Sequence, residues 1–222
     1  STVIYVGHSI GAILGTPFVA LEPTVTNAFL SAGMGGVARG FEASATFGPR
    51  IRAGLAAAGV MPGTSDYEFF FTVLQTVLDS ADPVNWATEA AMNNSVVVHE
   101  IIGDTVVPNF VSTAPLSGTE PMIATMGLAF YNSTQSDPNG VDLAGRFVPP
   151  ASHGSLLDPS SSPAATVEMQ KQLASFLLSK GTAVVVEDAA TMVPVSAEGE
   201  AELNQPEKAP PAANKLKLKI KK

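Results

Sequence analysis

The sequence predicts an α/β fold, a parallel sheet with crossover helices and a helical insertion, and three observations predict it. Residues 2–6 (TVIYV) and 95–102 (SVVVHEII) are β-branched and apolar almost without alternation, as strands covered on both faces require. Segments with apolar residues at helical spacing separate the strand-like runs, the rhythm of β-α units. Glycine or an acid follows these two runs directly, where open parallel sheets gather their functional groups.

Composition narrows the field. A chain of 222 residues, 45% hydrophobic and 14% charged, suits one main globular domain. The net charge of -8 disfavours a nucleic-acid partner, because phosphate contacts need a basic surface. With no cysteine there is no disulfide framework, thiolate metal site or cysteine nucleophile. No segment reads as a membrane span or a signal peptide.

The first strand, residues 2–6, runs into "VGHSIGA", and Gly7-x-Ser9-x-Gly11 matches the nucleophile elbow, a turn so sharp that small residues must flank the serine. A helix should start near Ser9, shortened or kinked at Gly15-Thr16-Pro17, since proline lacks the amide donor. Residues 24–30 form a second strand closed by "SAGMGG", and residues 51–60 an alanine-rich helix. Ser65 with Glu68 reads as a capping box, followed by Tyr67, Phe70, Phe71, Leu74 and Leu78 at helical spacing over about four turns.

Residues 95–102 are the strongest strand and end at Gly103-Asp104. Residues 112–139 read as irregular, residues 141–148 as a last strand, and "PPASHGS" places His153 in the loop behind it. Ser162-Pro163 should cap a final helix whose stripe is Ala165, Met169, Leu173, Phe176 and Leu177. "GTAVVVED" suits an edge strand. The body is thus expected over residues 1–190, with a lid-like insertion at about 61–92. Residues 191–222 read as a disordered Pro/Ala/Glu/Lys tail whose basic end is suited, as an alternative to a solvated run, to touching an anionic surface.

Strand, elbow serine, acid after a strand, histidine after the last strand: the order Ser9, Asp104, His153 is that of a hydrolase triad. Attack by a hydroxyl needs an imidazole to take its proton and a carboxylate to orient that imidazole. Of the three histidines, His8 is fixed in the elbow with its ring expected to point away from the Ser9 hydroxyl. His99 lies mid-strand as a core residue, which leaves His153 as the base. Asp142 rivals Asp104 but sits at the start of a strand rather than after one. Neither a cofactor nor a metal is required, and the histidine and acid spacing offers no zinc pattern.

The stretches "GHSIGAILGTPFVA", "FGPRIRAGLAAAGV", "DSADPVNWA", "EIIGDTVVPN" and "SHGSLLDP", with "VEMQKQLASFL" behind them, resemble the secreted or surface-exposed lipases and phospholipases of Gram-negative bacteria. The resemblance spans roughly residues 2–180 and implies a partial α/β-hydrolase fold that begins at the nucleophile strand, with the N-terminal strands missing. It implies Ser9 as nucleophile, Asp104 as acid, His153 as base and the Ile10 amide as one oxyanion-hole donor. It also implies a secreted or cell-surface location. The second oxyanion donor would come from the absent strands, so the chain alone is expected to be a poor catalyst.

The expected function is hydrolysis of fatty-acyl esters through an acyl-serine intermediate, with a lipid or other acyl ester as partner and peripheral membrane contact in reach. Phe69, Phe70, Phe71, Leu74 and Trp86 suit an acyl-chain wall, and equally an aromatic crossover helix packed on the sheet. The alternatives are a short-chain esterase or thioesterase, or an inactive truncated hydrolase-like binding module.

Overall fold

The computed structural model describes residues 3–195. Thr2 and residues 196–222, most of the expected tail, lie outside the described residues. Five parallel strands form the sheet: β1 (Val3–His8), β2 (Val25–Ser31), β3 (Ser95–Ile101), β4 (Ala129–Tyr131) and β6 (Leu143–Phe147), in the spatial order β1-β2-β3-β6-β4. The fold is α/β with a parallel sheet and crossover helices, as the apolar runs predict.

Period-two alternation assigns each strand residue a face. Along β3, Val96 and Val98 face α1 (Ile10–Leu21), α5 (Pro83–Asn93) and α6 (Thr119–Met126), packing with Ala12, Ala87 and Met122. Val97 and Ile101 face α7 (Pro163–Ser179) and pack with Met169 and Phe176. With both faces covered, β2 and β3 are almost entirely buried, which explains their lack of polar alternation. β1 is an edge strand, and its Val3 and Val6 remain nearly half exposed.

Between β2 and α5 the chain inserts three helices, α2 (Val37–Ala43), α3 (Gly48–Ala57) and α4 (Ser65–Leu78). The segment expected as one insertion at 61–92 is therefore two structures. α4 packs on α2 through Ala38, Tyr67 and Phe71, whereas α5 is the crossover helix against α1 and α6. Asp82 joins them: fully buried, its carboxylate accepts from the Gly36 and Val37 amides, from Gln75 Nε2 on α4 and from the Val84 amide of α5. That is a double helix cap made by one side chain.

Several local expectations are corrected. α1 is not cut short at Gly15-Thr16-Pro17 but runs to Leu21, because Pro17 forfeits only one amide while Ala12, Ile13 and Val19 are buried along the helix. The N-cap of α4 is Thr64, whose hydroxyl accepts from the Tyr67 amide; Ser65 is already helical and Glu68 pairs with Arg39 instead. Residues 112–139, read as irregular, contain α6 and β4, elements of eight and three residues that carry too little periodicity to read. The edge strand at "GTAVVVED" shrinks to β7 (Ala183–Val184), paired antiparallel with β5 (Gln135–Ser136) outside the main sheet. Ser162 caps α7 as expected, accepting from the Ala165 amide, but Leu177 lies off the buried stripe.

Candidate active site

Ser9 stands where β1 turns into α1, with φ 54° and ψ -118°, a backbone conformation that non-glycine residues avoid. Neighbours hold it there. The Ser9 amide donates to Ser31 O at 2.8 Å, continuing the parallel ladder, while its own carbonyl accepts the Ala12 and Ile13 amides of the first helical turn. Gly7 makes the turn possible, since a Cβ there would collide with the Gly11 carbonyl. That carbonyl also accepts the Tyr5 hydroxyl at 2.7 Å, and Gly15 leaves room for the Tyr5 ring. The glycines thus serve the packing of strand on helix as much as the turn itself.

Loops after three strands converge on this point. His153, beyond β6, places Nε2 2.7 Å from Ser9 Oγ and Nδ1 2.6 Å from Asp104 Oδ2, beyond β3. The carboxylate fixes the tautomer: Nδ1–H donates to Asp104, leaving Nε2 to accept the serine proton. Asp104 Oδ1 is occupied by the Val106 and Val107 amides at 2.7 and 3.1 Å, so one carboxylate oxygen anchors the turn and the other faces the imidazole. The Asp104 side chain is 2% exposed and that of His153 18%, which leaves the imidazole reachable and the acid dry. The histidine loop is itself tied down, with Ser155 Oγ accepting from the Ser152 amide and Gln170 Nε2 donating to Leu156 O.

The remaining candidates fall elsewhere. Asp142 lies at the opposite, N-terminal end of β6, where it accepts from the Val96 amide at 3.0 Å. The His8 ring lies against that of His153, centroids 5.3 Å apart, with Nδ1 3.3 Å from Ser31 Oγ. Burial, followed by the neighbouring His153, lowers the His8 pKa below the usual histidine range. His99 is a core residue, fully buried, with Nε2 3.0 Å from Gln172 Oε1, and burial pushes its pKa down to about 3. The Ile10 amide heads α1, where first-turn N–H groups have no intrahelical acceptor and the helix dipole favours negative charge.

An apolar groove of about 720 Å³ reaches Ile10, the residue that follows Ser9. Ile10 and Leu14 of α1, Ile51 of α3, and Phe70, Phe71 and Leu74 of α4 are among its walls. Two expected wall residues are corrected: Phe69 is 69% exposed on the outer face of α4, and Trp86 on α5 donates its Nε1–H to Ser80 O, so neither lines the groove. The contributions of α2 and α3, Val37, Phe41 and Leu55, were missing from the expected wall. Their signal was present in the apolar spacing of residues 37–41 and 51–55, but only the fold turns those positions toward α1. Among the described residues, no group of three or more His, Asp or Glu side chains is placed to hold a metal ion. No protein-family model matches the chain, and comparison with curated proteins found no significant match.

Proposed function

We propose that the chain is a serine ester hydrolase of the lipase or esterase type, built on an α/β-hydrolase fold and acting on acyl esters with an apolar chain. The observation that carries this reading is the continuous hydrogen-bonded line from Ser9 Oγ through His153 to Asp104, at 2.7 and 2.6 Å, with the serine on a strained turn at a helix N-terminus. A turn held against its backbone preference is expected where a hydroxyl must be presented in one orientation.

In this reading Ser9 Oγ attacks the ester carbonyl carbon while His153 Nε2 takes the hydroxyl proton, and Asp104 stabilises the imidazolium. The negative charge that forms on the carbonyl oxygen falls to the Ile10 amide and the N-terminal dipole of α1. Collapse breaks the bond to the alcohol oxygen, which leaves with the proton from His153. A water then attacks the acyl-serine with His153 again as base, releasing the carboxylic acid and restoring the hydroxyl. The acyl chain lies along the groove that starts at Ile10, and each methylene buried there contributes about 0.8 kcal/mol. The volume and apolar lining of that groove favour a fatty-acyl substrate over the short-chain alternative.

The test is hydrolysis of nitrophenyl esters of increasing chain length. Activity rising from acetate to the medium chains, and lost by about 10⁴-fold or more in Ser9→Ala, is the expected result. A Ser9→Ala protein that keeps a tenth of the activity overturns it.

A further inference from the structure

The turn that carries Asp104 is fastened by a side chain the proposed chemistry does not use. Asn109 Nδ2 donates to Ile101 O at 2.8 Å and to Glu100 Oε1 at 2.9 Å, while its Oδ1 accepts from the Gly103 amide at 2.8 Å. These three bonds span the start of the turn, on both sides of the point where β3 gives way to Asp104, whose own amide donates to the same Ile101 carbonyl at 3.2 Å. The backbone at Asn109 is seated as firmly: its carbonyl accepts from the Glu120 amide at 2.9 Å, and a Cβ on Gly118 would collide with that carbonyl. Glu100, beneath it, is fully buried on β3, and its Oε2 has no hydrogen-bond partner.

We propose that the Asn109 side chain, seated on the buried carboxyl group of Glu100, is the positioning device that aims Asp104 at His153. The inference rests on the hydrolase reading and adds two residues to it. An acid turn loosened by an ångström no longer holds the imidazole tautomer in line with the serine, and misplacement of that size costs about 10²-fold in rate. Asn109 suits the task because one planar amide offers both the donors and the acceptor that the turn needs. Glu100 serves as its seat in the uncharged form. Burial and the charge of Glu120 on α6 push its carboxyl up to about 8, against the opposing pull of Arg146 on β6 and of the Asn109 bond. The seat therefore accepts from Asn109 as a neutral group at pH 7, a role that glutamine reproduces.

Four proteins test this in the full chain: wild type, Asn109→Ala, Glu100→Gln and Glu100→Leu. Two readouts are taken well below the melting temperature, kcat and KM on a medium-chain nitrophenyl ester and the downfield proton resonance of the His153 Nδ1–H bond. Asn109→Ala and Glu100→Leu are expected to lose 10- to 100-fold in kcat with KM within about twofold, and to lose or shift that resonance. Glu100→Gln is expected to keep both the rate and the resonance at pH 7. Should the replacements at 109 and 100 melt early yet keep kcat and the resonance, Asn109 is only a structural residue and the proposal falls while the hydrolase reading stands. Loss of both in Glu100→Gln overturns the uncharged seat. Ser9→Ala run alongside separates the two failures, because hydrolysis that survives it removes the reading and this inference together.

Discussion

At Ser9 and its neighbours the geometry makes demands that single substitutions expose. Gly7 has no room for a methyl group, so Gly7→Ala must push the first turn of α1 away from β1. We expect a loss of about 1–3 kcal/mol of stability by chemical denaturation and a larger loss of activity, since the Ser9 turn moves with the helix. The two acids differ in what they hold. Asp104→Asn leaves the Val106 and Val107 amides an acceptor but gives His153 a neutral partner, and turnover should fall by roughly 10³ to 10⁴. Asp142→Asn, at the far end of β6, should leave turnover within a few-fold, with at most a small stability cost from its bond to Val96. The reverse ranking would move the acid role to Asp142.

Among the elements, α4 carries the prediction with the sharpest internal control. Phe70, Phe71 and Leu74 face the groove, whereas Phe69 is on the outer surface of the same helix and Trp86 belongs to α5. Replacing Phe70 and Leu74 with Ser should flatten the chain-length profile, reducing activity on medium chains far more than on acetate; Phe69→Ser should leave the profile unchanged. Equal losses on every ester length would assign α4 to packing alone. The same helix shows where sequence reading stops. Its aromatic periodicity and length were legible because a 14-residue element averages over many positions. Its cap was misplaced by one residue, since Thr64 and Ser65 both offer a capping hydroxyl and only backbone geometry selects between them. The Phe69–Phe71 run announced an apolar purpose, yet which ring faces the groove depends on helix phase against α2, a tertiary fact. α6 and β4 were illegible for a different reason, being too short to show a period.

For the molecule as a whole, two adjacent buried groups on β3 set opposite limits on stability against pH. His99 is held at about 3 against an ordinary 6.5, so the unfolded chain binds the extra proton between those values and stability from this residue falls as pH drops through that range. Glu100 is held at about 8 against an ordinary 4.5, so the folded chain retains the extra proton and stability from it falls as pH rises from 4.5 to 8. The two slopes oppose each other between about 4.5 and 6.5. Melting curves should show wild type losing stability relative to Glu100→Gln between pH 5 and pH 8; a constant difference would mean that Glu100 ionises normally. The sheet, its parallel sense and the chain order Ser9, Asp104, His153 were readable because apolar runs and punctuating residues are local signals. Asn109, Glu100 and the α2 and α3 walls were not, because each gains its role from contacts between segments distant in sequence or on different elements. The claim on which the rest depends is that Ser9 Oγ is the nucleophile. Its most direct measurement is peptide mass spectrometry after reaction with a fluorophosphonate probe, on wild type and on His153→Ala. The account predicts one adduct, on the peptide containing Ser9, formed at least 10²-fold more slowly in His153→Ala. An adduct on another serine, or one on Ser9 that forms as fast without His153, would contradict it.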